Sequence, residues 1–145
     1  MQPMSYHART SILVHCVFTT KNRQASIAPE MQPRLWSYMG GIARENKMKA
    51  LAVGGVADHC HVLLSLPPTM AVAKAVQLIK SGSSKWMHGK GQHKFDWQEG
   101  YGGFTIGMSQ IAATVRYISN QPRHHAKVSF EDEWKAILDK HGFAE

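Results

Sequence analysis

The stretch Met48–Leu66, MKALAVGGVADHCHVLLSL, decides the fold. Met48 to Ala57 and His59 to Leu66 read as two strands, with Asp58 at their connection and Pro67-Pro68 closing the second, which predicts an antiparallel pair. Side chains alternate along a strand, so Cys60, Val62, Leu64 and Leu66 form one apolar face. His59 and His61 leave the opposite face about 6–7 Å apart along the backbone. Two imidazoles so placed can share one metal ion, although such a pair also arises by chance among nine histidines. Leu63 is the apolar exception on the histidine face. Asp58 points away from the histidines if the strand includes it, which suits a supporting or turn role better than ligation.

Working outward, Ser11 to Thr20 (SILVHCVFTT) is rich in β-branched and aromatic residues and reads as a strand running into the basic Lys21-Asn22-Arg23. Between it and the pair, Pro29 near a helix start and apolar Met31, Leu35, Tyr38, Met39 and Ile42 predict an amphipathic helix to Asn46, weakened by Gly40-Gly41. Downstream, Thr69 is placed to cap a helix that buries Val72, Val76 and Ile79 and fades at Gly89 to Gly91. Gly100 to Gly107 gives a fourth strand, with Ser109 a cap for a helix from Ile111 to Gln121 that Pro122 stops or kinks. A last helix follows Ser129, with Glu131, Asp132 and Glu133 in its first turn and Phe130, Trp134, Ile137 and Leu138 as its apolar stripe. The predicted class is α+β, an α/β sandwich: a ferredoxin-like βαββαβ antiparallel sheet with helices on one face plus additional C-terminal helices, in a single domain spanning 1–145.

Composition narrows the function. A chain of 145 residues and 16.2 kDa suits one domain with a real core, and a formal charge of +7 points to a polyanionic partner. Cys16 and Cys60 sit in apolar runs without metal or disulfide spacing, which reads as core in a reducing cytoplasm. No apolar run approaches the length of a membrane span, and Met1 to Arg9 is polar. Walker, Rossmann and G-x-S-x-G patterns are absent, so no nucleotide cofactor is expected. A two-metal nuclease needs converging carboxylates, and four of the ten acids lie in the final helix.

A second group of residues lies in Tyr117-Ile118-Ser119-Asn120-Gln121. Ile111, Val115 and Ile118 define a buried stripe, and Tyr117 lies about 130° from its centre, on the side of Gln121. Four apart, the phenol and the carboxamide can address one point, or lie side by side on the surface.

Val14 to Arg23 (VHCVFTTKNR), Asp58 to Leu64 (DHCHVLL), Trp97 to Phe104 (WQEGYGGF) and Tyr117 to His125 (YISNQPRHH) together resemble the single-tyrosine HUH transposases of the insertion-sequence 200/605 type and their repetitive-palindrome-associated relatives. Cys60 and Ala57 depart from that pattern without removing a functional group. The resemblance implies a transposase that nicks and rejoins single-stranded DNA at hairpin-bearing element ends through a 5′-phosphotyrosine link. It implies Tyr117 as the nucleophile, with His59, His61 and Gln121 holding one divalent cation, Mg²⁺ or Mn²⁺. It also implies a homodimer with two composite centres, in which the Tyr117 helix docks in cis or in trans. A domesticated repeat-processing endonuclease would keep the same chemistry.

Basic residues Lys21, Arg23, Lys80, Lys85, Arg116, Arg123 and Lys127, with His124 and His125, are candidates for DNA contact near the proposed centre. Trp86, Trp97 and Tyr101 could stack bases, but Trp97 and Tyr101 suit packing better. His15 shares a strand face with Leu13, Val17 and Thr19, as a ligand, a DNA contact or a buried polar group. The rival reading is a non-catalytic RNA- or single-stranded-DNA-binding module with an RRM-like sheet, although that fold wants aromatics where His-Cys-His stands.

Overall fold

The computed structural model describes residues 9–143. Strand β1 (Leu13–Thr19) leads through a short 3₁₀ turn at Lys21–Arg23 to helix α1 (Gln32–Glu45). Strands β2 (Lys49–Gly55) and β3 (His59–Ser65) follow, then α2 (Val72–Gly89) and β4 (Gly102–Thr105). Three helices complete the chain: α3 (Ile111–Ser119), α4 (Gln121–His125) and α5 (Phe130–Lys140). The four strands form one antiparallel sheet in the order β2-β3-β1-β4, the order of a ferredoxin-like domain.

The period-two pattern of β1 and β3 sorts the two faces. Val14, Cys16 and Phe18 from β1 join Cys60, Val62 and Leu64 from β3, and α1 and α2 cover them with Leu35, Met39, Val76, Ile79 and Met87. Both cysteines are free and buried in this layer. His15, His59, His61 and Leu63 face the other way and are just as buried. That face, expected to lie open with only the Tyr117 helix nearby, is covered by α3, α4 and α5. The reason is apolar area: Leu13, Val17, Leu63 and Phe104 also point there, and leaving them wet would cost about 25 cal/mol per Å².

Two glycines let the cover come down. A Cβ on Gly54 would stand 2.4 Å from the Ile118 carbonyl oxygen, so the backbone of α3 rests directly on β2. A Cβ on Gly102 would stand 2.6 Å from the Trp134 ring, which seats α5 on β4 in the same way.

Several local expectations shift. Helix α2 starts at Val72 after Ala71, so Thr69 is not its cap. Ser109 lies inside a 3₁₀ turn, Met108–Gln110, where the Gly107 N–H donates to Gln110 Oε1 at 2.7 Å. The fourth strand is only Gly102–Thr105, paired with Val14–Val17 of β1. Pro122 breaks the expected Ile111–Gln121 helix, and sits at the start of α4, where its missing N–H costs nothing. Ser129 does cap α5, accepting from the Asp132 N–H at 3.1 Å. The most buried side chain of α5 is not in its predicted stripe; it is Glu133.

Candidate functional site

The sheet sets the positions of three imidazoles. In the β1–β3 register Val17 opposes His61 and His15 opposes Leu63, so His15 and His61 are diagonal neighbours on one face. His15 Nε2 lies 2.8 Å from His61 Nδ1, sharing one proton between the rings. Burial, reinforced by the neighbouring His61, pushes the His15 imidazole down to about 3, so it is neutral at pH 7. Burial also lowers His61. On the adjacent position, His59 Nδ1–H donates to Asp58 Oδ1 at 2.8 Å, the supporting role expected of Asp58. That bond fixes the tautomer and aims His59 Nε2 into the cluster.

The helices bring the remaining groups. Tyr117 from α3 packs its ring edge-on to His61, with centroids 5.5 Å apart. Gln121, one turn further on, places Oε1 3.1 Å from His59 Nε2. From α5, Glu133 closes the group: Oε1 lies 3.2 Å from His59 Nε2, 3.3 Å from His61 Nε2 and 3.0 Å from His125 Nε2. Its Oε2 accepts from the Tyr117 hydroxyl and from Gln121 Nε2 at 2.8 Å. His124 Nε2 lies 3.6 Å from the same oxygen.

Electrostatics follow this geometry. Burial disfavours the Glu133 carboxylate, but the hydrogen bonds from His59, His61 and Tyr117 outweigh it and hold the group well below the usual carboxylate range. Burial likewise opposes a charge on His59, yet Asp58 and Glu133 win and raise it to about 9. Burial, then the hydrogen bond to Glu133 and its charge, pushes the Tyr117 phenol above its ordinary value, so in this arrangement it is a neutral donor. Beside Tyr117 a cavity of about 460 Å³ opens between α3 and α5, with His15, Thr114, His124 and Ile137 in its walls.

One chain thus brings together Tyr117, His59, His61 and Gln121 from β3, α3 and α4. The two composite centres expected of a dimer are not needed to assemble them. Donor atoms of His59, His61 and Glu133 lie within 4.8 Å of one another, as do those of His124, His125 and Glu133, so either trio could hold a cation.

The basic candidates are scattered. Lys21 lies 4.0 Å from Asp96, and Arg23 pairs with Asp58 and Glu131. Arg116, Arg123 and Lys127 are exposed on or just after α3 and α4. Lys80 and Lys85 do not flank the centre, because α2 covers the opposite sheet face. Lys80 Nζ donates to the Gln98 and Gly100 carbonyls at 2.7 and 2.6 Å, tying the loop before β4. His124 and His125, expected to reach outward, turn in toward Glu133. Trp97 is buried as expected, whereas Tyr101 is 43% exposed.

Sequence reasoning missed Glu133 and left His15 open. Glu133 stands among three first-turn acids that helix-end electrostatics already explains, so nothing in the sequence sets it apart from Glu131 and Asp132. The covering helices also remove the open sheet platform that an RRM-like module needs.

Comparison with known proteins gives the family. The profile of the family described as "Transposase IS200 like" matches residues 8–121. The transposases for insertion sequence element IS200 of Salmonella typhimurium and Salmonella typhi are each 29% identical over 122 residues, covering 79% of this chain and 80% of theirs. Among solved structures, a proposed transposase of Deinococcus radiodurans R1 superposes with a TM-score of 0.65 at 23% identity, covering 83% of this chain and 98% of that one. A REP-associated tyrosine transposase bound to a REP hairpin superposes with a TM-score of 0.61 at 18% identity, over 86% and 76% of the two chains. With the family profile spanning the histidine pair, Tyr117 and Gln121, the chain belongs to the IS200-like transposase family.

Proposed function

We propose that this transposase cuts and rejoins single-stranded DNA through a 5′-phosphotyrosine link to Tyr117. The observation that carries the reading is the meeting, within one chain, of the Tyr117 hydroxyl, the Gln121 carboxamide and the Nε2 atoms of His59 and His61 around one buried point. His59, His61 and Gln121 are the proposed holders of one divalent cation, Mg²⁺ or Mn²⁺. The donor set fits: His59 Nε2 is freed by the Asp58 bond and faces the Gln121 oxygen, so two acceptors address one space. When bound, the cation supplies positive charge to the non-bridging oxygens of a scissile phosphate.

The chain's own groups do the rest. The Tyr117 hydroxyl gives up its proton as its oxygen attacks phosphorus, the bond to the 3′ oxygen breaks, and that oxygen takes up one proton as it leaves, so the proton count is unchanged. Because the new ester keeps the phosphodiester's energy, a free 3′ hydroxyl of another strand can attack it, reseal DNA and return the proton to Tyr117. His15 and Asp58 hold the two imidazoles in register during both steps. A structural relative is described as bound to a REP hairpin, and on that ground the proposed substrate is a hairpin-bearing strand. Lys21, Arg23, Arg116, Arg123 and Lys127 are proposed to meet its phosphates, and a homodimer would pair two complete sites.

The test is an adduct assay with Mn²⁺ and a labelled hairpin-bearing single strand. Wild type is expected to give a denaturant-resistant protein–DNA band that Tyr117→Phe lacks. A band that persists in Tyr117→Phe moves the nucleophile elsewhere, with Tyr101 or Tyr6, which is outside the described residues, next in line.

A further inference from the structure

The family profile ends at Gln121, and Glu133 lies beyond it. Yet Glu133 is the group on which the whole centre converges, at 2% exposure. A buried carboxylate is unfavourable unless something positive offsets it. The ion-pair partners of this one are the imidazoles of His59, His61, His124 and His125.

The Nδ1–H of His59 is committed to Asp58, so its Nε2, a lone pair when the ring is neutral and an N–H when it is protonated, faces two further acceptors, Gln121 Oε1 at 3.1 Å and Glu133 Oε1 at 3.2 Å. The Gln121 amide is oriented this way because its NH₂ donates to Glu133 Oε2. Three acceptor atoms so close need one positive species among them, either a proton on Nε2 or a cation. His61 Nε2 adds a fourth atom facing the same carboxylate oxygen.

We infer that Glu133 is an anionic ligand of the divalent cation, joining His59, His61 and Gln121, and that its other oxygen keeps the Tyr117 hydroxyl beside that cation. The inference rests on the reading that the histidine pair binds a cation. A carboxylate added to two imidazoles and an amide suits a hard or borderline ion such as Mn²⁺. It also explains how the nucleophile is positioned without a second subunit, since one side chain of α5 touches both the cation-binding imidazoles and the phenol.

Mn²⁺ binding to the full chain, read from the electron paramagnetic resonance signal of free Mn²⁺, tests this without any DNA reaction. Wild type is expected to take up one ion. Glu133→Gln is expected to weaken binding by at least about 10- to 100-fold, the range that even supporting contacts of a metal give. Glu133→Asp, with the same charge one methylene shorter, is expected to fall between the two and serves as the measured variant should Glu133→Gln not fold. Wild-type affinity in both Glu133 variants, with binding lost in His59→Ala, overturns the role of Glu133 and leaves the cation site standing. Wild type that binds no Mn²⁺ overturns both.

Discussion

At the level of single residues, the centre is a set of imidazoles each held by a partner on its other nitrogen. His15 is the partner of His61, and removing it frees that ring to turn. His15→Ala is expected to lower Mn²⁺ affinity by about 10- to 100-fold while the chain stays folded, measured by the same resonance titration. His59→Ala is expected to abolish the DNA adduct and leave hairpin affinity within a few-fold in a filter-binding assay, because phosphate contacts dominate affinity. The charge state of His59 gives a pH signature in the metal-free protein. Its imidazole is raised from 6.5 to about 9 in the folded chain, burial being outweighed by Asp58 and Glu133. Folding then favours the protonated form, so this contribution to stability is complete below pH 6.5 and is lost as the pH rises through 9. Thermal unfolding in chelator is expected to show a falling melting temperature across that interval, and His59→Asn is expected to flatten it.

At the level of elements, two helices are fixed by small features with large effects. Gly54→Ala would drive a methyl into the carbonyl of Ile118, forcing α3 off β2 at a cost of about 1–3 kcal/mol, as overpacking does. Urea unfolding measures the loss, and adduct formation should fall further than stability does, since Tyr117 rides on the displaced helix. Much of this arrangement was readable from the chain. The period-two alternation of His59-Cys60-His61 fixes which face the imidazoles share, and the four-residue spacing of Tyr117 and Gln121 puts both on one side of a turn. The strand order followed from the alternation of patterns. Glu133 was not readable, because helix periodicity assigns the buried stripe by hydrophobicity and a carboxylate scores as solvent-facing. Only the tertiary placement of α5, seated by Trp134 against Gly102, reveals that its neutralising partners come from β3 and α4. The inward turn of His124 and His125 escaped for the same reason. The covering of the histidine face escaped too, since a strand pattern tells which side is apolar and not which helix will reach it.

For the whole molecule, a centre whose groups meet within one chain predicts that subunits act independently. Mixing His59→Ala with Tyr117→Phe protein is expected to restore no adduct, whereas a shared helix would rescue one of the two sites in each mixed dimer, read on a denaturing gel. The same assembly separates two tasks between the faces of one sheet: α1 and α2 enclose an apolar layer, and α3, α4 and α5 enclose the polar one. The apolar side holds Cys16 and Cys60, both sealed from solvent, with burial pushing the Cys16 thiol up to about 12 and Cys60 upward as well. Neither sulfur can meet a labelling reagent unless the helices lift away from the strands. The protein therefore carries a native clock for its own opening, in which the rate of thiol capture reports how often the scaffold breathes, independent of anything happening on the polar face.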